Sequence, residues 1–101
     1  EVIVTKHRYG AFESTDLDLT LRSRGIRTVI MTGIATNVCV ETTARQAFLR
    51  DYYVVFTSDC TATYTRAEHE ATLSNIDNFF GQVAAAEDIV ACWEPVAAVA
   101  R

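Results

Sequence analysis

The stretch RTVIMTGIATNVCVETTARQAF, Arg27 to Phe48, joins a short apolar run to a longer periodic one through Gly33. Val29, Ile30 and Met31 form a run too short for a helix, and it reads as a buried strand. Beyond it, Val40, Ala44, Ala47 and Phe48 recur at three- and four-residue intervals, the period of one helix face, with Thr36 or Asn37 available as the cap. The chain therefore switches from strand to helix within a few residues, and Cys39 falls in the first turn after the switch.

The same alternation extends in both directions. Upstream, EVIVT (Glu1 to Thr5) reads as another buried strand, KHRYGAFESTDL as a loop, and LDLTLRSRG as a helix capped by Ser14, Thr15 or Asp16 and stopped at Gly25. Downstream, YYVVFTSDC is a strand and RAEHEATLSNIDNFFG an amphipathic helix closed by Gly81. A short strand near Gln82 to Ala84 and a helical turn from Glu87 to Trp93 complete the pattern. Strands alternating with helices predict right-handed crossovers and a parallel sheet with helices on both faces, a three-layer α/β/α arrangement. Ligands of such sheets bind beyond the carboxyl ends of the strands, which singles out Lys6, Gly33 to Cys39, and Asp59.

With 101 residues, half of them hydrophobic and only one a proline, the chain has the composition of one small folded domain without a linker or repeat. A formal charge of −4 and the lack of any lysine or arginine run exclude the electrostatic footprint of a nucleic-acid or anionic-membrane binder. A small-molecule partner fits better. The sequence contains neither a membrane-length apolar run nor a signal-peptide pattern, so a cytoplasmic protein is expected. Glu1 leads straight into VIV with no methionine, which reads as the middle of a longer protein.

Cys39, Cys60 and Cys92 are too widely spaced for a zinc site or a small disulfide scaffold, so reduced thiols are expected. In a first helical turn, unpaired backbone N–H groups and the positive end of the helix dipole favour an anion, which suits a nucleophilic thiolate and the oxyanion it creates on a carbonyl. Free cysteine is equally at home in a core, and VCV could be core. Position alone leaves both readings of Cys39 open. Cys60 lies beside Asp59 with no sign of a second nucleophile, and Cys92 lies in an apolar tail.

KHRYGAF, followed by LRSRGIRTVIMTGIATNVCVETTARQA, strongly resembles the isochorismatase-like cysteine hydrolases, and RSRGIR with GIATNVCVE is most similar to their ureidoacrylate amidohydrolase branch. The resemblance runs from about Val2 to about Gly81. It implies an Asp-Lys-Cys triad that hydrolyses amides through a thioester, with Cys39 matching the nucleophile and Lys6 the lysine whose ammonium favours the thiolate. It also implies a cis peptide between Ile34 and Ala35, and an oxyanion hole made by the N–H groups of Ala35 and Cys39. Tyr9, Phe12 and Asn37 match positions near the substrate, a small amide-bearing molecule; Phe12 could equally belong to the core and Asn37 to the helix cap.

The triad's aspartate lies before the matched lysine in this family, where the chain has only EVIVT. Asp16 and Asp18 suit a helix start, and Asp59 ends a later strand. The chain thus resembles the C-terminal half of one such domain, and the N-terminal half is an expected partner, as is a second copy in a homo-oligomer. Alone, the half-domain is expected to be inactive. His7 beside Lys6 and Arg8, and His69 on an acidic helix expected to be solvated, are poor metal ligands. No cofactor is expected in the chemistry, only water, and no metal ligand is expected within these 101 residues; nicotinamidases of the superfamily bind a metal through residues upstream of the matched lysine. A non-catalytic module, a nicotinamidase and an isochorismatase are the alternatives.

Overall fold

A computed structural model describes residues 1–99, with side chains over 1–93. Among these, three parallel strands form one sheet in the order β1 (Thr28–Ile34), β2 (Tyr53–Ala62), β3 (Gln82–Ala84), each pair joined by a helical crossover. Helix α1 (Leu17–Ser23) precedes the sheet, α2 (Glu41–Leu49) links β1 to β2, α3 (Arg66–Asn75) links β2 to β3, and α4 (Ala86–Val99) follows. Single π-helical turns, Thr36–Val40 and Ile76–Phe80, lead into α2 and out of α3.

The predicted α/β alternation is present, and the helix boundaries have local causes. Helix α1 ends with the N–H of Ile26 on the Leu21 carbonyl and that of Gly25 on the Arg22 carbonyl, both at 3.0 Å. That closure needs a left-handed residue, and Gly25 supplies it at φ +69°. Helix α2 closes in the same way with Asp51 in the left-handed position, where Tyr52 N–H reaches the Ala47 carbonyl. Thr65 caps α3, accepting from the Glu68 N–H while its hydroxyl donates to the Glu68 carboxylate.

One face of the sheet carries the core. Val40, Ala44 and Ala47 of the α2 stripe are buried against Val54, Phe56 and Ile76, and the two alanines let the helix lie close to β2. Helix α1 adds Leu17 and Leu21 to this layer. On the opposite face of β1, Ile30 is 40% and Ile34 75% exposed among the described residues.

Two local expectations are corrected. EVIVT is not a strand: residues 1–5 pair with no other segment among the described residues, and Ile3 is 86% exposed. β-Branched composition gives a segment the capacity to pair, but a strand exists only where a neighbouring ladder receives it. The terminal helical turn over Glu87 to Trp93 is part of the longer α4, whose first N–H is capped at 2.9 Å by Asp59 Oδ1, a partner remote in sequence.

Phe12, 6% exposed, stacks on Tyr52, whose hydroxyl donates to Asp18 Oδ1 at 2.7 Å. This bond, aided by Arg22, holds the Asp18 carboxyl below the usual carboxylate range, while burial, with Asp18 adding to it, pushes the Tyr52 phenol up. A raised phenol contributes stability that is present below its unfolded value near 10 and is lost as pH rises beyond it; the depressed carboxyl contributes above about pH 4 and is lost toward acid. Tyr52→Phe is therefore expected to cost about 1 kcal/mol at neutral pH through the lost bond. It should also flatten the stability loss above pH 10, as read from urea midpoints across an alkaline series.

Candidate active site

The carboxyl end of β1 is where the chain changes character. The peptide between Ile34 and Ala35 is cis, and the next residues form the wide turn in which the Ala35 carbonyl accepts from Val38 N–H at 3.1 Å and from Val40 N–H at 3.2 Å. No side chain caps this turn at Ala35. The expected Thr36 or Asn37 cap is thus corrected, because both side chains are engaged elsewhere. Thr36, fully buried, meets His69 Nδ1 at 2.9 Å. Asn37 accepts from the Thr63 hydroxyl at 2.7 Å and donates to Glu68 Oε2 at 2.8 Å.

Cys39 stands in this turn, half-buried and free. With Lys6, His7, Arg8 and Tyr9 it lines a depression of about 550 Å³. The loop bearing Lys6 is docked on α2: Ala11 N–H donates to Thr43 Oγ1 at 3.0 Å and Phe12 N–H to Gln46 Oε1 at 3.2 Å. Gly10 lies so close to the Gln46 side chain that a Cβ there would overlap it. Lys6 Nζ donates to the Arg8 carbonyl at 2.9 Å, which folds the loop back over its own start. Lys6, Tyr9 and Cys39, distant in sequence, are thereby brought together; Phe12 is not, its ring lying in the core against Tyr52.

Beside this turn, the β1–β2 ladder is irregular. Met31 pairs with Phe56, but Gly33 pairs with Thr61, so the stretch Thr57–Cys60 bulges opposite Thr32. Side chains take up the carbonyls that the ladder leaves: Thr57 Oγ1 donates to the Met31 carbonyl at 2.7 Å, Thr61 Oγ1 to the Thr57 carbonyl at 2.8 Å, and His69 Nε2 reaches the Ser58 carbonyl at 3.0 Å. His69 is thus not the solvated residue its acidic helix suggests. Glu41, at the start of α2, accepts from Thr72 at 2.6 Å and from Arg45 at 2.7 Å, fixing α2 to α3 just after the cysteine turn.

The isochorismatase domain model matches residues 1–88. The chain belongs to the isochorismatase family. Within that family, the chain is 43% identical over 99 residues to the ureidoacrylate amidohydrolase RutB of Variovorax paradoxus, covering 97% of this chain and 39% of that protein. Its backbone is similar to that of an isochorismatase-like hydrolase from Alkaliphilus metalliredigens, with TM-score 0.89 and 42% identity over 93% of this chain and 51% of that one. A nicotinamidase from Staphylococcus aureus follows the same course with TM-score 0.79 and 32% identity, covering 80% and 53%. The chain spans about half the length of these relatives, or less. Among the described residues of this isochorismatase-family chain, no group of three His, Cys, Asp or Glu side chains could hold a metal ion, and no helix is long and apolar enough to cross a membrane.

Proposed function

We propose that this chain is the C-terminal half of a cysteine amidohydrolase domain, one that cleaves a C–N amide bond of a small ureido or carbamoyl compound. The observation that carries the reading is the shared depression of Cys39 and Lys6 beyond the carboxyl end of β1. The similarity to a ureidoacrylate amidohydrolase supports the substrate class.

In this mechanism the Cys39 thiolate attacks the amide carbonyl carbon, and the carbonyl electron pair moves onto oxygen. The N–H groups of Ala35 and Cys39 hold that oxyanion, and the Lys6 ammonium lowers the energy of negative charge at sulfur and at the substrate. When the oxyanion collapses the C–N bond breaks, the leaving nitrogen takes a proton, and an acyl thioester remains on Cys39. Water then attacks the thioester, releasing the acid and restoring the thiol. An aspartate from the N-terminal half of the domain carries the proton in both steps. Tyr9, 66% exposed beside Cys39, forms an aromatic wall for a planar substrate. Asn37, both of whose side-chain groups are engaged within the protein, shapes the turn.

The test is acid quenching of the full-length protein during turnover of a ureidoacrylate-type amide, followed by peptide mass spectrometry, with nicotinamide run in parallel. An acyl adduct on the Cys39 peptide is expected with the ureido compound. Lys6→Ala should lower kcat/KM by about 100-fold, the scale of one lost electrostatic partner at the reacting centre. Turnover without an adduct, or full activity in the lysine variant, refutes the assignment; a nicotinamide-only adduct moves the substrate class to pyridine carboxamides.

A further inference from the structure

Cys39 makes its attack from a turn that lacks a side-chain cap, so the turn is held by what packs against it. The two residues that open the turn, Thr36 and Asn37, are gripped by two adjacent residues of α3, His69 and Glu68. Glu68 is itself fixed as the partner of the Thr65 cap. His69 reaches further: one ring nitrogen meets fully buried Thr36 and the other meets the Ser58 carbonyl on the β2 bulge. A carbonyl only accepts, so Nε2 carries a proton, and in the neutral ring Nδ1 accepts from the Thr36 hydroxyl.

We propose that His69 is a positioning residue for Cys39, tying the nucleophile turn through Thr36 to the bulge of β2. Both nitrogens are spent on protein groups, and His69 does not line the depression that holds Cys39 and Lys6, so it acts through Thr36 and not on the substrate. The bulge and the histidine form one device. The irregular ladder presents the Ser58 carbonyl beside the turn, and the imidazole spans the gap from that carbonyl to Thr36, the first residue of the turn. The consequence for turnover rests on the amidohydrolase reading; the consequence for the thiol does not.

The experiment uses full-length protein as wild type, His69→Ala, Thr36→Val and the double variant. It reads kcat, KM and the rate at which iodoacetamide alkylates Cys39 relative to Cys92, which lies on α4 away from the turn. Each single variant is expected to lower kcat by about 10²-fold with KM within about twofold, the effect of displacing a reacting group by about 1 Å. Cys39 alkylation should slow by about fivefold or more relative to Cys92 as the thiol loses its place against the turn's N–H groups. Because both substitutions break one link, the double variant is expected to be no worse than His69→Ala, and His69→Gln, whose amide can still donate to Ser58, should recover part of the loss. Unchanged kcat and alkylation in His69→Ala, losses that multiply in the double variant, or a change in KM alone would overturn the proposal. Should His69→Ala not fold, near-isosteric Thr36→Val alone decides by the same two readouts. Turnover surviving Cys39→Ala would refute the amidohydrolase reading, and the alkylation rates would still judge His69.

Discussion

In full-length protein, Cys39→Ala is expected to reduce amide turnover by about 10⁴-fold or more, because the covalent step proposed above has no other attacking atom. Neither of the other thiols replaces it. Cys60 is exposed on the β2 bulge with its Sγ toward Asp59 at 3.7 Å, and Cys92 is exposed on α4; neither lines the depression with Lys6. The loss should be almost entirely chemical. Cys39 is only half-buried, so truncating its sulfur costs about 1 kcal/mol of stability or less, and the urea midpoint should move little. Cys39→Ser tests the same point with an oxygen in place. A hydroxyl ionises far less readily than a thiol, so the serine variant is expected to lie near the alanine variant, not near wild type. Retention of even a tenth of wild-type turnover in either variant would show that Cys39 is not the nucleophile. On the proposed reading, in which the triad's aspartate comes from outside these 101 residues, the isolated chain is expected to show no Cys39-dependent turnover at all.

The features legible in the sequence are those with a local cause. The α2 stripe of Val40, Ala44, Ala47 and Phe48 is a property of spacing, and the first three are buried where the spacing places them, while Phe48 is 43% exposed with its ring edge-on to Phe80. Cys39 is legible because an apolar run, a glycine and a periodic segment fix where a strand gives way to a helix. What escaped is settled by pairing between distant segments. EVIVT has strand composition, yet no neighbouring ladder receives it among the described residues. Helix α3 shows His69 between Glu68 and Glu70, which looks like a solvated face, because the Ser58 carbonyl that claims the ring is released only by a register shift between β1 and β2. Composition carries no trace of that shift. The capping role expected of Thr36 and Asn37 failed for the same reason: both have the side chains for it, but His69, Thr63 and Glu68 compete for them from other elements. Phe12 illustrates the reverse. Sequence could place it in either the core or the site, and the loop's bonds to Thr43 and Gln46 draw it into the core.

The largest stability effect is expected at Phe56. It is fully buried at the centre of the middle strand, paired across to Met31 on one side and Val83 on the other, within the cluster of Val40, Ala44, Ala47 and Ile76. Phe56→Ala removes the ring and leaves a cavity between sheet and helices that cannot collapse, since β2 is fixed by ladders on both edges and α2 already lies close through its alanines. A loss of about 3–5 kcal/mol follows from the lost transfer energy and the residual void. Against a typical total of about 5–15 kcal/mol, this is enough to unfold a marginal domain. Urea midpoints measure it, with Leu19→Ala, 71% exposed on α1, as a control expected to shift stability by no more than about 0.5 kcal/mol. Phe56 is also the last residue of β2 paired with β1 before the Thr57–Cys60 bulge, so the cavity should loosen the segment that presents the Ser58 carbonyl to His69. In Phe56→Ala protein still folded at low temperature, kcat should therefore fall while Leu19→Ala leaves it unchanged. A Phe56→Ala cost below about 1 kcal/mol would mean that the void is refilled and that the sheet and helices are not packed as described.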